Sequence, residues 1–357
     1  MQSWVRGADA SGFGLENLPY GIVRRAGEPP RPAVRIGDYA LELRHVLDGE
    51  PPFTQAPDLN AFLALGPLAW GDVRRRLRGL LTDRAAAEPW LVPLSTLEVL
   101  LPIEPGDYVD FYASLEHATN VGRRLRPDRV GGDVLPINWR HLPAGYHGRA
   151  GSVVVSGTPV RRPSGLRGPG DFGPERELDF ELELGFVTGA RDIFGVVLLN
   201  DWSAREIQRF EYVPLGPFLG KSFATSISPW VVPLDALPLV DGPPQDPEPA
   251  DYLQVDGPWA LDVDCEVEVN GVSVTRVNAR EGLYWTIAQM LAHATVNGAE
   301  VRPGDLFGTG TISGADQAGC LLETGGPYLA DGDEVVMRGR AGAVSLGEVR
   351  GTVLSAL

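Results

Sequence analysis

The chain has 357 residues, 43% of them hydrophobic, and a formal net charge of −16 at pH 7, which repels phosphate backbones and anionic lipid and excludes nucleic acid and membrane surfaces as expected partners. No apolar h-region follows a basic start, and no run approaches the roughly 18 apolar residues of a spanning helix, so neither export nor membrane insertion is expected. Cys265 and Cys320 read as reduced structural residues of a cytoplasmic protein, and of 31 basic residues Lys221 alone is lysine.

The 44 glycines and 31 prolines punctuate short apolar runs, a pattern of many strands joined by turns, and the fold class expected is mainly β with some α. In chain order, a helix is expected over 71–82 and a helical segment between 110 and 125. Strands follow over 152–160, 178–187 and 194–200, then a helix over 203–210 entered through a Ser203 cap. A hairpin is expected over 259–274 with its turn at Asn270-Gly271, a helix over 280–296 with a core-facing stripe of Leu283, Ile287, Met290, Leu291 and Ala294, and strands over 334–339 and 344–354. Segment 102–107 reads as a linker, dividing an N-terminal domain, 1–106, from a C-terminal one, 107–357; the run 241–250, with four prolines, reads as an exposed loop.

Chemistry concentrates after residue 106. Strand alternation puts Asp179, Glu181 and Glu183 on one face and Phe180, Leu182 and Leu184 on the other. A solvated acidic face is the commoner outcome for such a motif; the alternative is a site for a hard divalent cation, which prefers oxygen ligands. Asp201 ends an apolar run, and Arg205 and Gln208, three apart, share a face of the helix that follows. An apolar Gly/Pro loop then delivers Lys221. Asp110 and His117 fall on one side if 110–117 is helical, and His117 is a candidate general base, although a lone histidine is more often satisfied by a local hydrogen bond. His141 and His147 lack zinc-type spacing and read as structural, and 308–314 is too weak a glycine pattern to indicate a nucleotide loop.

Segments 110–120, 138–162, 200–230 and 297–314, with Asn17-Leu18-Pro19-Tyr20-Gly21, closely resemble the fumarylacetoacetate hydrolase family. The resemblance implies a small N-terminal SH3-like barrel, a larger C-terminal mixed β-roll, a homodimer, and hydrolysis of the carbon-carbon bond of fumarylacetoacetate to fumarate and acetoacetate, the last step of tyrosine and phenylalanine catabolism. Carried over by position, it implies Mg²⁺ or Ca²⁺ on Asp110, Glu181, Glu183 and Asp201, and a second cation near Asp201, Lys221 and Thr225. The general base falls on His117 and its orienting carboxylate on Glu323; substrate would be held by Tyr112, Arg126, Tyr146, Gln208, Tyr212 and Thr311, with Arg205, Gln208 and Lys221 steadying developing negative charge. The stretches between Val187 and Ile193 and between Thr311 and Glu323 are shorter than in animal members. Two other readings stay open: a related acylpyruvate hydrolase or decarboxylase, against which the His117 and Glu323 pair argues, and a non-catalytic metal-binding β protein, against which a complete water-activating set argues.

Overall fold

The computed structural model describes residues 3–46, 56–125 and 134–357. The N-terminal unit is a five-stranded antiparallel sheet in the spatial order Leu91–Pro93, Tyr39–Glu42, Arg31–Ile36, Tyr20–Arg24, Glu98–Leu100. Its two edge strands are consecutive in sequence, joined by the turn Leu94–Thr96, so the sheet curls into a half-barrel. The helix Pro67–Thr82 packs beside it with Trp70, Val73 and Leu77 inward. It opens four residues before the sequence expectation because Pro67 is pre-set for a first helical turn.

The C-terminal unit is built from two sheets. One is mixed, running Gly145–His147, Tyr108–Phe111, Leu306–Gly308, Leu182–Gly189, Asp192–Asp201, Thr225–Ile227, Val153–Val155, with Val232–Pro233 also pairing to Asp192–Asp201. The other runs Val272–Asn278, Asp264–Val269, Glu334–Ala341, Val344–Leu354, Val160–Arg161. The main core lies between them and holds Trp139, Trp202 and Trp285. The protein is thus α+β, dominated by its β domains. Among the described residues no helix is long and apolar enough to cross a membrane.

The strand Asp192–Asp201 explains why its sequence is a nearly unbroken apolar run. Val196 and Leu198 point into the main core, whereas Phe194, Val197 and Leu199 point into a second core shared with the N-terminal unit. A strand covered on both faces has no polar side to alternate with. Its hairpin partner Leu182–Gly189 joins it through a two-residue turn in which Ala190 has φ 55.

Several expectations change in detail. The strand expected over 178–187 is broken: Leu178–Asp179 pairs with Ser203–Ala204, and Leu182–Gly189 pairs with Asp192–Asp201. Asp110 is not helical; it lies on Tyr108–Phe111, and the helix starts only at Leu115. Ser203 does not cap the next helix, since its hydroxyl donates to the Asp201 carbonyl. The Glu175 carboxylate does so instead, accepting from the backbone N–H groups of Glu206 and Ile207 at 3.2 and 3.1 Å. The helix expected over 280–296 is two, Ala279–Gly282 and Ile287–Thr295, because Thr286 and Gln289 form a capping box that starts the second afresh. The stretch 152–160 holds Val153–Val155 and the first residue of a separate strand, Val160–Arg161. The run 241–250 is irregular, as expected.

Candidate active site

Four carboxylates meet at one end of the mixed sheet. Asp110 comes from Tyr108–Phe111, Glu183 from Leu182–Gly189, Asp201 from the end of Asp192–Asp201, and Glu181 from the break before Leu182. Each offers an oxygen within 4.8 Å of the others, and all four are buried. The acidic face is therefore not solvated. Asp179, though on the same side in sequence, is not part of the cluster: it accepts from the N–H groups of Leu321 and Leu322, each at 2.8 Å, and from Arg205 Nε at 2.8 Å.

Two positive groups reach in. Lys221 Nζ donates to Glu181 Oε2 and, at 2.8 Å, to Asp201 Oδ2. Arg205 Nη1 donates to Glu181 Oε1 at 2.7 Å and to Gln208 Oε1 at 3.0 Å. Thr225 Oγ1 donates to Asp201 Oδ1 at 3.0 Å. Burial pushes the Glu181 carboxyl up, but Lys221 and Arg205 outweigh it and hold the group below its usual range. At Asp110 and Glu183 the pull of Lys221 does not outweigh burial and the neighbouring acids, which push both well up.

The donor set fits a hard divalent cation. Asp110 Oδ1 and Glu183 Oε1 are buried with no hydrogen-bond partner among the described residues, a state that is costly unless a cation completes it. Gly308 keeps that space open: a Cβ there would lie 2.7 Å from Glu183 Oε2 and 3.0 Å from Asp110 Oδ1. All four ligand candidates are oxygen donors, which suits Mg²⁺ or Ca²⁺ and not a softer metal.

His117 stands across the cavity. Its Nδ1 lies 2.7 Å from Glu323 Oε1, and Glu323 is delivered by the short helix Leu321–Thr324. Burial pushes the Glu323 carboxyl up, but hydrogen bonding and charge from His117, with donors from Asn120 and Ser313, bring it down to about 2. With Nδ1 occupied, Nε2 is the nitrogen left to face a substrate.

A cavity of about 560 Å³ gathers His117, Asp110, Glu181, Arg205 and Lys221 with the substrate-holding candidates Tyr112, Tyr146, Gln208, Tyr212 and Thr311. Glu183, Asp201, Thr225 and Glu323 stand behind these. Arg126 lies outside the described residues. His147 pairs with Asp107 at 2.9 Å on the surface, and Cys265 and Cys320 are unpaired and buried. Sequence reasoning missed Glu175, Asn120, Ser313 and Asn200, whose Oδ1 accepts from the Glu181 N–H at 3.1 Å. Asn120, Asn200 and Ser313 lie inside the segments that resemble the family, but none has a chemical signature of its own there, and the roles of all four arise only from long-range contacts.

Residues 16–102 match the Fumarylacetoacetase N-terminal family and residues 108–354 the Fumarylacetoacetate (FAA) hydrolase C-terminal family. A fumarylacetoacetase of Oryza sativa subsp. japonica is 42% identical over 426 residues, covering 100% of this chain and 98% of its own. One from Bos taurus is 42% identical over 419 residues, covering 99% of each chain. Both alignments are longer than the chain itself, so these relatives carry segments that it lacks. Among solved structures, a putative HpcE protein from Mycobacterium smegmatis aligns with TM-score 0.61 at 20% identity, over 94% of this chain and 99% of that one. A fumarylacetoacetate hydrolase from Exiguobacterium antarcticum aligns with TM-score 0.60 at 19% identity, over 95% and 99%. The solved structures speak to the fold alone, whereas the family matches and the full-length identities speak to descent: the chain belongs to the fumarylacetoacetate hydrolase family.

Proposed function

We propose that the protein hydrolyses fumarylacetoacetate to fumarate and acetoacetate, using a divalent cation, Mg²⁺ or Ca²⁺, held by Asp110, Glu181, Glu183 and Asp201. The observation that carries the reading is a His-carboxylate pair and a four-carboxylate cluster that meet at one cavity, through His117 on one side and Asp110 and Glu181 on the other. Full-length relatives named fumarylacetoacetase support the substrate.

A cation held by Asp110, Glu181, Glu183 and Asp201 would supply Lewis acidity to the carbonyl groups of a 1,3-diketone. Glu323 holds the proton of His117 on Nδ1, so Nε2 takes a proton from water as the water oxygen bonds to the carbonyl carbon on the fumaryl side. The carbon-carbon bond then breaks, leaving the fumarate carboxyl on one side. The acetoacetate carbon keeps the electron pair and takes the proton back from His117. Two of the three Lys221 donors are engaged by Glu181 and Asp201, which leaves one for developing negative charge. Arg205 binds the carbonyl end of the Gln208 amide and so turns its NH₂ outward, giving a second donor. Tyr112, Tyr146, Tyr212, Thr311 and Arg126 complete substrate holding in this reading. Thr311 Oγ1 is buried without a partner among the described residues, which suits a polar substrate atom. A second cation near Asp201, Lys221 and Thr225, a homodimer and a cytoplasmic location belong to the same reading; two unpaired buried cysteines accord with a reducing compartment.

The test is loss of diketone absorbance on mixing purified protein, Mg²⁺ or Ca²⁺, and fumarylacetoacetate. Chelation followed by gel filtration should abolish turnover and either ion should restore it. His117→Ala should lose most of kcat while still binding acetoacetate. Full turnover by metal-free protein, or near-normal kcat in His117→Ala, would remove this reading.

A further inference from the structure

We propose that Asn120 and Ser313 are positioning residues that act on the reaction only through Glu323; this rests on the assignment of His117 as the base. The helix Leu115–Leu125 carries His117, Asn120 and Arg124, spaced so that they share one face. All three hold the same residue. His117 Nδ1 meets Glu323 Oε1 at 2.7 Å, Asn120 Nδ2 donates to Oε2 at 2.8 Å, and Arg124 Nη2 donates to the Glu323 carbonyl at 2.9 Å. From the loop after Leu306–Gly308, Ser313 Oγ donates to Oε1 at 2.6 Å. Ser313 Oγ itself accepts from the Gly319 N–H at 2.9 Å, which leaves its proton for Glu323.

Each carboxylate oxygen therefore has a neutral donor of its own besides the imidazole. The carboxylate cannot rotate without losing both. With these donors the Glu323 carboxyl stays ionised far below neutral pH, so it only accepts, and an acceptor at Nδ1 fixes the proton there and leaves Nε2 bare. Neither Asn120 nor Ser313 lines the cavity, so the loss should fall on the chemical step and spare binding.

The experiment is steady-state kinetics on full-length, Mg²⁺-loaded Asn120→Leu and Ser313→Ala, each alone and combined with Glu323→Ala. Each single change should lower kcat by about 10- to 100-fold, as for other supporting-shell residues, with KM nearly unchanged. In the Glu323→Ala background the further loss should shrink to less than about twofold, because the route through Glu323 is already cut. Ser313→Thr, which keeps the hydroxyl, should retain most activity. If Asn120→Leu does not fold, Asn120→Ser removes the reach without placing an apolar group on the carboxylate. The same fold-loss in the Glu323→Ala background, or a raised KM at unchanged kcat, overturns the proposal. Wild-type protein that does not cleave the diketone overturns the underlying reading instead, and the two failures are told apart by that one control.

Discussion

Lys221 is the single lysine among 31 basic residues, and it is buried in contact with two carboxylates of the cluster. Burial pulls its ammonium down, but Asp201 and Glu181 outweigh that and hold it charged. An ammonium is a compact donor whose three protons diverge; a guanidinium is a planar fork that needs more room than this position, 6% exposed, provides. Lys221→Arg should therefore fold and keep its metal, yet lose about 10²- to 10³-fold in kcat, the scale seen when one donor to a developing oxyanion is removed. The check is kcat beside metal content in the purified variant. Retention of more than about half the wild-type rate, as for a neutral surface change, would make the lone lysine a matter of composition only. The residue types of this site were legible in the sequence because acids at period two, an acid ending an apolar strand and a lone lysine are local signals. That Asp179 leaves the cluster while Glu181 and Glu183 stay was implied by the family resemblance but was not legible in the strand pattern, since it depends on a break in the strand set by pairing with Ser203–Ala204.

At the scale of elements, the helix Arg205–Glu211 brings Arg205 and Gln208 to the cavity, and it is too short to hold itself. Its first turn is held by Glu175, which is 1% exposed and accepts from the N–H groups of Glu177, Glu206 and Ile207 at 2.8, 3.2 and 3.1 Å. Glu175→Ala leaves those donors unmatched in a buried place and should cost about 1–3 kcal/mol in urea unfolding. It should also lower kcat, because the helix start carries Arg205 with it, and Glu175→Gln, which keeps one oxygen acceptor, should be milder. Equal stability of Glu175→Ala and wild type would mean that water or another group takes over. The sequence pointed to a helix here but to the wrong cap, because Ser203 has the local signature whereas Glu175 lies about thirty residues away along the chain. Long apolar strands and the Asn270-Gly271 turn were legible for the opposite reason, since their signals are contained in the elements themselves.

Across the whole molecule, the N-terminal half-barrel shares a core with the sheet that ends in the acid cluster. Tyr20 and Phe62 stack at 5.2 Å between ring centroids, and Trp70 meets Phe194 edge-on at 5.1 Å, with Val197 and Leu199 in the same core. The backbones of Tyr20 and Val231 bond to each other in both directions, at 2.9 and 2.7 Å. Gly21 is one point of close approach: a Cβ there would sit 2.7 Å from the Pro229 carbonyl oxygen and 2.7 Å from the Trp230 ring. The first is backbone, and the second is a ring 2% exposed, so neither has space to yield. Gly21→Ala should therefore destabilise the protein by about 1–3 kcal/mol, the usual cost of overpacking. Because the core is shared, urea should still unfold the variant in one transition seen alike by fluorescence and circular dichroism. Gly79→Ala is the control. Gly79 lies within the helix Pro67–Thr82, and a Cβ there would meet nothing within 4 Å, so the same substitution should stabilise by about 0.4–1 kcal/mol. A neutral Gly21→Ala would show that the contact between half-barrel and sheet yields under load. Two separated transitions would show that the half-barrel folds as a unit of its own.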